Sequence, residues 1–178
     1  QLALLDEYPD YRFFQSQPHL YAMTRRLYPD LYRRIERAVK RGQWIPDGAL
    51  WVECDTNLAG GEAMIRQFVH GKRFFKEAFN VVSELLWLPD AFGYSGALPQ
   101  IMAGCGVSYF STQKLSWNYN SELPLKVQNF WWEGIDGTRV LTHLHQDYNS
   151  ETNPGRLIAR WRDRIQKDGM ESRMIPFG

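Results

Sequence analysis

The chain has 178 residues, 44% of them hydrophobic and 15% aromatic, enough to bury one sizeable core and within the ordinary range of a single domain. Lys and Arg number 21 against 20 Asp and Glu, so the overall charge supplies no long-range field to steer nucleic acid or an anionic membrane, and neither is expected as a partner. No run approaches the ~18 apolar residues of a membrane span, and the two cysteines, Cys54 and Cys105, lack CxxC spacing and read as small buried residues, with a disulfide the lesser alternative.

The sequence opens at Gln1, without an initiator Met, in what reads as the tail of a helix, as expected of a piece cut from a longer protein. Residues 11–15, YRFFQ, are short, aromatic and bounded by Pro9 and Pro18, which predicts a buried strand. Beyond Pro18, Leu20, Met23, Leu27, Leu31, Ile35 and Val39 recur at helical spacing, interrupted at Tyr28-Pro29-Asp30, so two helices joined by a Pro-started turn are expected. Their outer face, with Arg25, Arg26, Arg33, Arg34, Arg37, Lys40 and Arg41, is either an anion site or, more commonly for such a pattern, a solvated surface.

Residues 44–46 and 49–52 suit short strands or extended loop. Gly60-Gly61 then opens a helix whose Met64, Ile65, Phe68, Val69, Phe75 and Phe79 keep the 3.6 period, with Glu62 placed to favour the helix dipole. Residues 81–88 read as a strand buried on both faces and stopped by Pro89. The loop Asp90-Ala91-Phe92-Gly93-Tyr94-Ser95, a helix over 97–104 and a strand over 107–110 complete a βα unit, which points to a parallel α/β sheet or barrel. Strands around 130–132 and 139–144 flank Asp136-Gly137, a strong hairpin signal; a helix over 154–167 and a strand beginning at 174–177 follow. Nothing marks a linker, so residues 1–178 are expected to be part of a single α/β domain.

A carboxylate directly after a buried parallel strand faces the ligand crevice of such folds, which makes Asp90 a catalytic candidate; the competing reading is an Asp that organises its own turn. His143 and His145, two apart on a strand, project from one face as some metal pairs do, against the plainer reading of packed or solvated histidines. Glu53 and Asp55 are a candidate carboxylate pair of the kind glycosidases need, exposed acidic loop residues being the commoner explanation.

The stretch Leu86-Trp87-Leu88-Pro89-Asp90-Ala91-Phe92-Gly93-Tyr94-Ser95-Gly96-Ala97-Leu98-Pro99-Gln100 resembles the nucleophile segment of glycoside hydrolase family 38 α-mannosidases. In order along the chain, Trp51-Val52-Glu53-Cys54-Asp55-Thr56-Asn57, Gly61-Glu62-Ala63-Met64-Ile65-Arg66-Gln67-Phe68, the segment from Tyr109 to Asn118 and the segment from Phe130 to Gly137 continue the likeness, which covers essentially the whole chain. It is nearest to the bacterial and cytosolic-type branch.

The resemblance implies a partial, irregular seven-stranded (β/α) barrel, truncated at both ends, and hydrolysis of terminal α-D-mannosidic bonds by a retaining, zinc-assisted mechanism. It makes Asp90 both the catalytic nucleophile and a ligand of Zn2+, with Phe92, Lys114 and Tyr148 as substrate-binding residues. Trp117, Trp131 and Trp132 are candidate sugar-stacking platforms, though large aromatics at strand ends are more often core. The family's early His-x-Asp zinc pair, later acid/base aspartate and further zinc histidine have no counterpart here, so the segment alone is expected to be inactive. Residues 174–178 resemble the strand leading into the acid/base segment.

An α-mannoside oligosaccharide is the implied partner, strand edges left without neighbours would favour a homo-oligomer, and the branch and sparse cysteines suggest a cytoplasmic location. The rival readings are a non-catalytic carbohydrate-binding module and a metal-dependent polysaccharide deacetylase, in which His143 and His145 would be ligands.

Overall fold

Phe13 and Trp44, both flanked by proline within a few residues, sit opposite one another as the first paired residues of the chain. The computed structural model describes residues 1–117, 127–146, 148–149, 151–164, 166–167, 169 and 171–177; Asn118 and the side chain of Trp117 lie outside the described set. The elements run α1 (Leu2–Glu7), β1 (Phe13–Gln15), α2 (Pro18–Leu27), α3 (Pro29–Lys40), β2 (Trp44–Pro46), α4 (Gly61–Phe79), β3 (Leu85–Leu88), α5 (Leu98–Gly104), β4 (Tyr109–Thr112), a 3-10 turn (Lys114–Trp117), β5 (Asn129–Glu133), β6 (Arg139–Leu144) and α6 (Pro154–Arg162).

β1 and β2 form a parallel two-stranded sheet; a four-stranded sheet has the order β3-β4-β6-β5. There β3, β4 and β6 are mutually parallel and only β5 runs against β6. The arrangement is mixed α/β, and the described strands form these two sheets rather than a closed ring. The Trp87 N–H reaches Gly48 O at 3.5 Å, joining the end of β2 to β3.

Local chemistry explains the element ends. Pro18 and Pro29 occupy the first helical positions, where a missing N–H costs nothing. α4 ends at Asn80 in the left-handed conformation (φ 57), with the Val81 N–H returning to Phe75 O. That return uses up the residues expected to start the next strand, so β3 begins at Leu85 rather than 81, and its burial alternates, with Leu86 and Leu88 buried and Leu85 and Trp87 half-buried. The expected strand over 107–110 moves to Tyr109–Thr112 for the same reason, because the Val107 N–H closes α5 on Met102 O.

The hairpin stands where Asp136-Gly137 placed it: Gly137 has φ +83 and Asp136 Oδ1 accepts the Thr138 N–H at 3.0 Å. α6 stops at Arg162, short of 167, and beyond it Gln166 Oε1 accepts the N–H groups of Gln128 and Asn129. Residues 174–177 form no strand; they lie along a cleft beside β1 and Trp87. Residues 49–52 are bends, since Ala49 takes φ 62 and cannot continue an extended chain.

Two cores result, and α4 serves both. Met64 and Phe68 pack with Leu50, Leu86, Leu98 and Phe110 between the helices and the larger sheet. One to two turns on, Phe74 and Phe75 pack with Leu5, Tyr21, Ile35 and Trp44 under α1–α3. Each fully buried phenylalanine contributes about 2–3 kcal/mol by burial. The Arg-rich face over these helices is partly paired, Arg34 and Arg41 with Asp6 and Arg33 with Asp30, and Arg25 lies over the Tyr32 and Phe74 rings. The whole face is exposed, as a solvated helix surface is.

Candidate functional site

Two parallel pairs of strands deliver polar side chains from their carboxyl ends: Ser16 after β1 and Glu53 in the loop after β2, Asp90 after β3 and Lys114 after β4. Tyr148 follows β6. In open and closed parallel sheets alike this is the end where ligands bind, because the loops there are free to vary while the strands hold them still.

The Asp90 loop is fixed by its neighbours. The Thr112 hydroxyl donates to Leu88 O at 2.7 Å and also meets the Tyr94 hydroxyl, which in turn donates to Ala91 O. From the other side Thr56 Oγ1 donates to Gly93 O at 3.0 Å and accepts the Ser95 N–H. A Cβ at Gly93 would meet only the exposed Asn57 amide, which would have to turn aside.

On this support the Asp90 carboxylate is 54% exposed, while the Lys114 side chain opposite it is only 6% exposed. Lys114 Nζ lies 2.7 Å from Asp90 Oδ1 and donates to the Tyr148 hydroxyl at 2.7 Å; that hydroxyl reaches Asp90 Oδ1 at 3.4 Å. The Lys114 ammonium also sits 5.0 Å from the centroid of the Phe92 ring and 4.3 Å from that of Tyr148. Burial disfavours the charge on Lys114, but the hydrogen bonds to Asp90 and Tyr148 and the Asp90 charge outweigh it, so its pKa is raised. Phe92 is 77% exposed and presents its face to solvent beside Asp90, which is not the packing of a core residue. Asp90, which its place after a strand singles out, and Phe92, Lys114 and Tyr148, which the resemblance implies, therefore meet in one place.

Glu53 and Asp55 are half-buried rather than exposed, and with Cys54, Asp90, Ala91 and Phe92 they line a small cleft of about 90 Å3. Burial, only partly offset by a hydrogen bond from Ser16, raises the pKa of Glu53, and the Asp90 charge adds to the effect. Ser16, Tyr94 and Thr112 were not singled out by sequence pattern; Ser16 alone carried a usable signal, as the polar residue directly after a strand.

The other candidates separate from this cluster. His143 Nδ1 lies 2.8 Å from Asn129 Oδ1, and burial together with the Arg173 charge lowers its pKa. His145 packs against Trp87 at 5.2 Å and against His143 at 6.2 Å between ring centroids. Among the described residues no three His, Cys, Asp or Glu side chains are grouped to hold a metal. Trp131 and Trp132 pair with Leu141 and Val140 near the start of β6, away from Tyr148; Trp132 packs on Phe110, and Trp131 is exposed. Neither is placed to stack on a sugar at Asp90, and the side chain of Trp117 lies outside the described set. Cys54 and Cys105 are free and half-buried, the former 3.4 Å from Met64 Sδ. No helix among the described residues is long and apolar enough to cross a membrane.

Compared with known proteins, the sequence matches the family described as glycosyl hydrolases family 38 N-terminal domain over residues 1–178. It is 42% identical over 180 aligned positions to alpha-mannosidase G of Dictyostelium discoideum, covering 100% of this chain and 16% of that protein. It is 49% identical over 143 positions to alpha-mannosidase 2C1 of Homo sapiens, covering 80% of this chain and 14% of that protein. The fold is similar to that of the crystal structure of an alpha-mannosidase from Enterococcus faecalis V583, with a TM-score of 0.72 and 22% identity, over 90% of this chain and 19% of that one. The chain thus spans less than a fifth of the length of each.

Proposed function

This chain belongs to the family of glycosyl hydrolases family 38 N-terminal domains, and from that premise we propose that the full-length protein hydrolyses terminal α-D-mannosidic bonds with retention of anomeric configuration. The observation that carries the reading to named residues is the convergence of Asp90, Phe92, Lys114 and Tyr148 at the carboxyl ends of parallel strands.

In this reading a carboxylate oxygen of Asp90 attacks the anomeric carbon and forms a glycosyl ester, while an acid/base carboxylate from another part of the protein protonates the departing oxygen. Water then attacks the same carbon, and the ester bond breaks to return Asp90 as carboxylate. Lys114 and Tyr148 hold Oδ1 by charge and by hydrogen bonding, which fixes the carboxylate's plane and leaves Oδ2 to face the sugar. As the ester forms, the Asp90 charge is spent; Lys114 favours its return and so assists the second step. Phe92 offers an apolar face to the ring beside the reacting carbon.

A zinc ion belongs to the same proposal, with Asp90 as one ligand. Zinc takes about four ligands, and the described residues assemble no group of three, so in this reading further ligands would come from elsewhere in the protein. When bound, the metal would grip sugar hydroxyls and favour the distorted ring of the transition state. The two sheets would be one arc of a seven-stranded barrel completed by the rest of the protein, and the free thiols Cys54 and Cys105 suit a cytoplasmic location.

The test is hydrolysis of an aryl α-mannoside by the full-length protein, with zinc and after chelation, for wild type and Asp90→Ala. Zinc-dependent cleavage giving the α-anomer first, seen by proton NMR, is expected. Loss of about 10⁴-fold or more in kcat is expected for the variant. A folded Asp90→Ala variant that retains activity would reduce Asp90 to a turn residue.

A further inference from the structure

Beside Asp90 stands a second carboxylate whose setting the proposed mechanism leaves unused. Glu53 lies in the loop after β2, and this loop is clamped along its length. Asp47 Oδ1 takes the Ser83 hydroxyl and the Gly48 N–H; the Trp51 N–H goes to Gln67 O at 3.0 Å and the Val52 N–H to Gln67 Oε1 at 3.0 Å. Trp51 O accepts the His19 N–H, and the Glu53 N–H points to Gln17 Oε1 at 3.4 Å.

Two residues of this region hold left-handed backbone without being glycine, Ala49 (φ 62) and Gln17 (φ 62). Such conformations cost about 1–3 kcal/mol each and persist where the surroundings over-determine them, most often at sites of function. In the same region the Ser16 hydroxyl, itself buried, donates to Glu53 Oε1 at 2.7 Å, and the Glu53 side chain lines the cleft it shares with Asp90. Asp55, by contrast, bends back to accept the Asn57 N–H at 2.8 Å and serves its own turn.

We propose that Glu53 binds the substrate, accepting a hydrogen bond from a hydroxyl of the sugar ring held at Asp90, with Ser16 as its positioning residue. The inference rests on the glycosidase reading above. A half-buried carboxylate next to another of like charge is costly to keep unless a donor arrives to share it, and a sugar ring offers hydroxyl donors in fixed directions. Hydrogen bonds of this type strengthen as the ring flattens toward the transition state, so Glu53 would contribute to kcat as well as to binding.

The experiment uses the full-length protein, 4-nitrophenyl α-mannoside and its monodeoxy analogues, with wild type, Glu53→Gln, Ser16→Ala and Asp90→Ala. Glu53→Gln is expected to lower kcat/KM for the parent sugar by about 10- to 100-fold, the loss of one charge-assisted hydrogen bond. For the one analogue that lacks the bound hydroxyl, the same substitution should change kcat/KM by less than about threefold relative to wild type. Ser16→Ala, which keeps the carboxylate and removes only its orienting bond, should repeat the pattern at about 3- to 10-fold, and it carries the test if Glu53→Gln proves unstable.

An equal loss on every analogue, or activity on the parent within threefold of wild type, overturns the assignment. Failure of wild type to cleave any α-mannoside overturns the glycosidase reading and this one with it. A dead Asp90→Ala beside a normal Glu53→Gln overturns this one alone.

Discussion

Replacing glycine by alanine in a helix ordinarily stabilises it by about 0.5–1 kcal/mol, and α4 offers two glycines at which the same change should act with opposite sign. A Cβ on Gly71 would stand 2.2 Å from Ala49 O, 2.5 Å from Leu50 C and 2.8 Å from Trp51 N, all backbone atoms of the loop that carries Glu53. Ordinary contact begins at 3.4 Å, so the loop must retreat by about 1.2 Å. Overpacking a filled site costs about 1–3 kcal/mol. Pulling the Trp51 N–H off Gln67 O adds about 1–3 kcal/mol. Set against the helix gain, Gly71→Ala should destabilise by roughly 2–4 kcal/mol, lowering the thermal midpoint of the unit by about 5–15 °C. At Gly61 the nearest atom to a Cβ is Ile101 Cδ1 at 4.0 Å, so Gly61→Ala should be neutral or stabilising by up to about 1 kcal/mol. Calorimetric melting of the two variants beside wild type makes the comparison. If Gly71→Ala melts at or above wild type, the loop has room to give and the clamp that presents Glu53 does not exist.

Three further outcomes follow from particular contacts. Tyr21→Phe removes a buried hydroxyl that accepts the Trp44 indole N–H at 2.7 Å and donates to Gln15 O at 2.8 Å, so melting should shift down by an amount matching about 1–3 kcal/mol with turnover per folded molecule unchanged. Lys114→Met strips the Asp90 carboxylate of its cation, and steady-state kinetics should show kcat lowered by about 10²-fold with kcat/KM less affected, since the second step is the one that Lys114 assists; because the Lys114 pKa is raised above 10.5, its contribution to stability is fully present below that pH and is lost only as pH climbs through the folded value. His143, whose pKa is lowered from 6.5, works the other way: its stabilising contribution is present above pH 6.5 and is lost as pH falls from there through the folded value. Melting of His143→Gln across pH 5 to 7.5 should accordingly vary less steeply with pH than wild type, and identical slopes would show that the imidazole does not titrate differently on folding.

The elements legible in the sequence were those whose signal is local. The Pro-started helices α2 and α3, the long periodic α4 and the Asp136-Gly137 hairpin each carry their stop and start within a few residues. What shifted were the starts of β3 and β4, each a few residues later than expected, while residues 49–52 and 174–177 form no strand. Val81 and Val107 are β-branched and apolar, yet each gives its N–H to close the preceding helix before the ladder begins. That competition between a helix terminus and a strand is decided by geometry across the turn, which composition does not encode. α6 likewise kept its pattern to 167 but ends at Arg162, where Gln166 is drawn to the backbone of β5's first residues.

The site divides along the same line. Asp90 could be placed at a strand end from its own neighbours, whereas Lys114 and Tyr148 came only through resemblance, since a lysine before a 3-10 turn and a tyrosine in a loop have no periodicity to betray them. Their meeting is a product of topology. β3, β4 and β6 are parallel and hydrogen-bonded in that order, so residues just past their ends, separated by up to 58 positions in sequence, must emerge on one rim. The register makes this specific: Leu88 stands opposite Thr112, and Thr112 opposite Leu144. A slip of one residue in β4 would turn Ser111 to the position of Thr112, break the Thr112–Leu88 bond and carry Lys114 off Asp90. The buried Phe110 ring and the Thr112 hydroxyl, both facing Tyr94 on one side of β4, hold that register, so the packing that stabilises the sheet also sets the 2.7 Å separation between Lys114 and Asp90.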